Sequence, residues 1–246
     1  MIKKLHGWLE GETGFLILLG LALLTAFGLQ ITRVGFYWDD WQMVYLAQTD
    51  NFRLYWEHFL SDRPFVAWIY WLVTHLVVQS PLAAHILTLA VRWVSVLGFY
   101  LALRELWRGA RWQVRWMSLL LAISPAFLQQ QVAYTYSAHF ITYALFTFSL
   151  AAMIWAVRKP HLMRWLMPLS WLLTLLHVMS MEYFIGLELL RPLILWWMTS
   201  PNGEKLFTRL SRILRLWLPY GAVLVIFAVW RFVYFPQISY HAEANT

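Results

Sequence analysis

The chain has 246 residues, 61% of them hydrophobic and only 13% charged, with a formal net charge of +7, 17 tryptophans and no cysteine. A water-soluble domain of this length carries about a quarter charged residues, so composition excludes that class and points to an all-α, polytopic bundle of membrane helices. The lack of cysteine excludes a disulfide framework or a thiolate metal site. The basic residues fall in short clusters between apolar runs, the pattern of loops facing anionic lipid headgroups and not of a nucleic-acid groove.

In chain order, Lys3 and Lys4 precede a first apolar span, roughly 14–32, that has no small-residue cleavage site near its end. It reads as an uncleaved signal anchor. An outward segment, 33–63, then carries the acids Asp39, Asp40, Asp50, Glu57 and Asp62. Residues 64–79 are apolar but number only 16, and they include His75, Trp68, Tyr70 and Trp71. If they crossed the bilayer, the arginines at 104–115 would lie outside. They are therefore predicted to lie in the interface or re-enter from the outer side, within a first outward loop spanning 33–81. Further spans are predicted at roughly 82–104, 113–129, 138–157, 161–179, 182–198 and 214–232. That makes seven crossings, with prolines 168 and 192 inside spans where neighbouring helices absorb a kink.

This topology places Lys3/Lys4, Arg104/Arg108/Arg111/Arg115, Arg158/Lys159/Arg164 and Lys205/Arg209/Arg212/Arg215 on the cytoplasmic side, 13 of the 19 basic residues. The N-terminus is then cytoplasmic, and the expected location is a bacterial inner membrane. The chain reads as a single module, 1–246. Its polar end, 236–246, is compatible with the start of a larger outward loop in a longer protein.

The most informative short sequence is Phe36-Tyr37-Trp38-Asp39-Asp40-Trp41. Two carboxylates this close do not ionise independently, and one pKa rises toward a value useful for a base. Neighbouring side chains diverge, so one acid is expected to face a cavity while the other supports it or binds a metal. The bland alternative has one acid capping a helix over 41–48 and the other solvated. Arg63, before Pro64, either holds a phosphate as a bidentate donor or anchors to headgroups. Asp39, Asp40, His58 and Asp62 offer oxygen and nitrogen donors to a divalent cation, at a spacing that matches no metal motif, so a cofactor requirement stays open.

His85, Thr88 and Arg92 share one helical face. That stripe fits a phosphate, or Arg92 pairs with Glu188. Glu182 opens the sixth span, where it either shares a cavity with Asp39 or favours the helix start. Glu188 and Arg191, three apart, are expected to pair structurally. The loop 124–139, with Gln129, Gln130, Gln131, Tyr134, Tyr136 and His139, suits sugar hydroxyls and ring faces but is equally an ordinary polar loop.

The order of these features resembles the GT-C superfamily of integral-membrane glycosyltransferases: a basic N-terminus, one span, an outward loop opening with Trp38-Asp39-Asp40-Trp41, Arg63-Pro64 before an aromatic stretch, Ser80-Pro81 followed by His85, and Glu182 at a later span. The closest likeness is to bacterial members related to protein mannosyltransferases and aminoarabinose transferases. The resemblance implies about seven spans with juxtamembrane helices in the first outward loop. It also implies a polyprenyl-phosphate-linked sugar as donor and inversion at the anomeric carbon. It places catalysis on Asp39, with Asp40 as the acid that follows it. The residues fit that chemistry, with Arg63, His85 or Arg92 as the cation near the departing phosphate and Glu182, Trp38 and Trp41 completing the expected substrate-binding set. Members of that superfamily continue past the seventh span with more helices or a soluble domain. A transporter or flippase-like protein that moves or binds a lipid-linked sugar is the alternative, although no internal repeat supports it. An inactive fragment or assembly subunit is a third reading.

Overall fold

The computed structural model describes residues 11–77, 79–126, 130–199 and 205–238, so Lys3, Lys4, Gln129 and residues 239–246 lie outside the described residues. Every regular element described is helical. We number the α-helices α1 (Glu12–Leu23), α2 (Asp40–Ala47), α3 (Phe52–His58), α4 (Ala67–Val77), α5 (Pro81–Leu106), α6 (Arg111–Ile123), α7 (Ala133–Arg158), α8 (Met163–Ser180), α9 (Leu190–Met198) and α10 (Leu206–Val229).

Four helical stretches are long and apolar enough to cross a bilayer: Pro81–Leu106, Ala133–Arg158, Pro160–Ser180 and Leu206–Ile238. By that measure the chain is a membrane protein. The other three expected spans are shorter. α1 reaches Gly28 only through a wider π turn, Leu24–Gly28. α6 has 13 residues, about 20 Å at 1.5 Å per residue, against a hydrocarbon core of about 30 Å. The expected 182–198 span is a tight 3-10 segment, Glu182–Leu189, followed by the nine residues of α9. The segment at 64–79 forms a 3-10 turn, Pro64–Val66, and the 11-residue α4, and is likewise shorter than the hydrocarbon core is thick.

Local chemistry sets the helix starts around the outward loop. The Asn51 side chain accepts from the Arg53 N–H at 3.0 Å and opens α3. Ser80 Oγ accepts from the Ala83 N–H at 3.3 Å, with Pro81 at the first helical position, and opens α5. α5 and α7 form the most extensive helix pair, and α7 packs almost as closely on α8. Gly98 permits that approach: a Cβ there would sit 3.0 Å from both Thr147 Cβ and Phe148 Cδ2. One apolar core joins α1 and α5–α10, including Leu19, Tyr100, Met153, Ile154 and Tyr220. A second ties α2, α3 and α4 to the starts of α5 and α7 through Met43, Tyr55, Ile69, Val73 and Ala138. This second core makes the short helices a layer seated on one end of the long ones.

Inside the bundle, Arg191, Glu188 and His177 are fully buried. Arg191 Nε donates to Glu188 Oε2 at 2.5 Å, and its Nη2 donates to Ser149 Oγ and Thr174 Oγ1, each at 3.0 Å. His177 Nε2 lies 2.9 Å from Glu188 Oε1, and the Arg191 guanidinium stands 4.4 Å over the Tyr220 ring. Charge in a medium this apolar persists only when paired and hydrogen-bonded. Glu188 is therefore committed to Arg191 and His177 and does not meet Arg92.

Candidate functional site

The Asp doublet divides at the start of α2. Trp38 adopts a left-handed backbone (φ 50°), which turns the chain immediately before the acids. Asp40 is fully buried. Its Oδ1 accepts from the Tyr134 N–H at 2.8 Å and its Oδ2 from the Ala133 N–H at 2.9 Å, with the Tyr37 N–H at 3.4 Å. Val132 supplies no side-chain cap to α7, so Asp40 caps that helix from another element. Burial drives its pKa up, against the pull of the three N–H groups, and the net shift is upward. Capping of a helix over 41–48 is not what either acid does: α2 has no side-chain cap, although Asp39 occupies the N-cap position.

Asp39 is exposed and lines a cleft of about 310 Å³ with Gln42, His58, Asp62, Arg63, Tyr70, Thr135, His139 and Tyr183. The cleft lies between the short-helix layer and the start of α7. Arg63 precedes Pro64, and its Nε donates to Glu182 Oε1 at 3.2 Å, its Nη1 to Asp62 Oδ2 at 2.7 Å. Its guanidinium stands 4.7 Å over the Tyr183 ring. Burial acts to lower the Arg63 pKa, but the Glu182 and Asp62 carboxylates outweigh it, and Arg63 stays charged. Tyr183 and His139 stack with centroids 5.3 Å apart and rings 14° from parallel, and Tyr136 stacks on His139 at the same separation. Partial desolvation holds His58 below the usual imidazole value, so it is neutral at neutral pH.

The other candidates go elsewhere. Glu182 does not line the cleft; it sits behind Arg63, with Arg231 Nη2 3.8 Å from the same oxygen. Arg231 also donates to the Asp62 carbonyl at 2.9 Å, and its position on the segment after α10 gave no local sign of this contact. His85 Nε2 donates to the Gly35 carbonyl at 3.2 Å and lines a separate cleft of about 380 Å³ with Gln30, Gln130 and Gln131. Arg92 is buried and donates to the Ala122 and Ser124 carbonyls at 3.0 and 2.9 Å and to Gln130 Oε1. It satisfies the carbonyls left over at the end of α6, and its expected alternative partner, Glu188, is held inside the bundle. Trp38 and Trp41 are 68% and 60% exposed, and neither lines the Asp39 cleft. Among the described residues, no three His, Asp or Glu side chains converge as a metal site.

The Asp39 cleft therefore combines a free carboxylate, a neutral imidazole, a charged guanidinium and stacked aromatic faces. A carboxylate can take a proton from a hydroxyl, a guanidinium can hold a phosphate oxygen, and an aromatic face can carry an apolar sugar face. No family model, no curated protein and no solved structure matches this chain.

Proposed function

We propose that the chain is a membrane glycosyltransferase of the GT-C kind. It moves a sugar from a polyprenyl-phosphate carrier to an acceptor at the extracytoplasmic face, with inversion at the anomeric carbon. In this reading seven segments cross the membrane of a bacterial cell, the short ones locally thinning the bilayer and snorkelling their flanking residues to its surface. The N-terminus is cytoplasmic and α2–α4 form the juxtamembrane layer. The observation that carries the reading is the placement of Asp39 and Arg63 on one cleft in that layer.

Asp39 accepts the proton of the acceptor hydroxyl as its oxygen bonds to the anomeric carbon. The carbon–oxygen bond to phosphate breaks, and the polyprenyl phosphate leaves with the electron pair. Arg63 neutralises the charge that builds on that phosphate. Glu182 and Asp62 hold the guanidinium in place, and Asp40 fixes the start of α2 and hence the position of Asp39. Tyr183 and His139 form the wall for the sugar. Two apolar grooves along α5, of about 420 and 680 Å³, offer a path for the prenyl chain.

The test is transfer by the purified chain from a panel of polyprenyl-phosphate-linked hexoses and pentoses, wild type against Asp39→Asn. A positioned general base contributes about 10²–10⁴ in rate, and a loss of that size with helicity intact is expected. Wild-type rates in Asp39→Asn, or uptake of the lipid-linked sugar with no covalent product, contradict the proposal.

A further inference from the structure

The end of α5 farthest from Asp39 carries another polar hollow that the transfer reaction does not use. It measures about 310 Å³ and is lined by Glu12, Tyr100, Arg104, Trp107, Arg108 and Arg111. The acids nearby are already engaged. Glu12 accepts from Tyr100 Oη at 2.5 Å and from Arg104 Nη1 at 3.2 Å, and Arg115 Nη2 lies 4.0 Å from its other carboxylate oxygen. Glu105 is paired with Arg108. Arg111 has no acidic partner among the described residues, and it is exposed. Three arginines thus line one hollow in which the single lining carboxylate is shared between cations. α6 begins at the same place with Arg111 and no acid in its first turn, so the positive end of its dipole adds to the excess.

Loops that only follow the cytoplasmic charge bias need spread basic residues, not a walled hollow. Here the arginines share the hollow with buried Tyr100 and with Trp107, and the exposed Trp107 and Trp112 suit headgroup depth. Guanidinium forks match the tetrahedral oxygens of phosphate, each able to donate two bonds. We propose that this cleft binds an anionic phosphate group, presented by a lipid headgroup or by a small soluble phosphate. The inference stands whether or not the chain transfers sugars.

The full chain in phosphate-free detergent is titrated calorimetrically with inorganic phosphate and with glycerol 3-phosphate at fixed ionic strength. In parallel, native mass spectrometry counts the phosphatidate retained from bilayer discs of phosphatidate and phosphatidylcholine. Saturable binding is expected in at least one arm. Loss of one charge-assisted fork in Arg111→Gln weakens it about tenfold. Arg53→Gln, an exposed arginine of the Asp39 layer, leaves it unchanged. Binding in the first arm assigns a soluble phosphate, and binding in the second alone assigns a headgroup. Absence from both arms overturns the proposal, as does equal weakening by Arg53→Gln or undiminished binding in folded Arg111→Gln. If Arg111→Gln loses its helicity, Arg108→Gln decides the matter by the same criterion.

Discussion

Replacing Asp40 by Asn tests whether the doublet is split into a reacting acid and a structural one. Asp40 spans two elements: its oxygens hold the Tyr134 N–H at 2.8 Å and the Ala133 N–H at 2.9 Å in a fully buried position. The amide of Asn keeps one acceptor oxygen and turns its NH₂ toward the other N–H, so one bond is lost and two donors face each other. Losing a helix cap costs about 0.5–2 kcal/mol, and a buried backbone donor left unsatisfied costs about 1–3 kcal/mol. Because these overlap at one site, the expected destabilisation is roughly 2–3 kcal/mol. Reversible unfolding in mixed detergent and SDS measures it. Under conditions where Asp40→Asn is still folded, its transfer rate should fall far less than that of Asp39→Asn. Wild-type stability in Asp40→Asn, or a rate loss matching Asp39→Asn in fully folded protein, would refute the division of roles.

Two further outcomes follow from charges elsewhere. Glu188→Gln removes the carboxylate that compensates buried Arg191 and should destabilise the bundle by about 3–5 kcal/mol, whereas Glu188→Leu with Arg191→Met should lie much closer to wild type; unfolding of both variants in SDS checks this, and equal losses would contradict it. His75 has acceptors on both ring nitrogens, Trp71 O at 2.6 Å and Asp50 Oδ1 at 2.7 Å, an arrangement that requires the doubly protonated ring. Its pKa is raised above 6.5, chiefly by Asp50, so its stabilising effect is fully present below pH 6.5 and is lost as the pH rises through the folded value. Stability measured against pH should therefore show Asp50→Asn below wild type in acid and converging with it in alkali, and a constant difference would contradict the pairing.

The helical class was legible because long apolar runs in so uncharged a chain have few other solutions. The length of each helix was less legible. Residues 182–198 look like one apolar span, yet Glu188 and Arg191 turn inward to His177 and Ser149, and the chain through Glu188 tightens into a 3-10 segment, Glu182–Leu189. The doublet stood out because adjacent acids among aromatics are costly in this composition. Its division did not, since the donors that capture Asp40 lie 93 and 94 residues away. Arg92 shows the same limit. Spacing put it on one face with His85 and Thr88, but the carbonyls it satisfies belong to Ala122 and Ser124 at the end of another helix. Tyr183 and Arg231 join Arg63 only through tertiary packing, and no local pattern marks either.

The native chain contains no cysteine, so a single Asp39→Cys substitution gives one thiol at the position on which the account rests. The measurement is the rate at which a membrane-impermeant maleimide labels that thiol in intact cells and in bilayer discs, with and without a polyprenyl-phosphate-linked sugar. The account predicts labelling from outside intact cells and slower labelling when the lipid-linked sugar is present. Labelling that appears only after the membrane is opened, or a rate indifferent to every lipid-linked sugar tried, would contradict it.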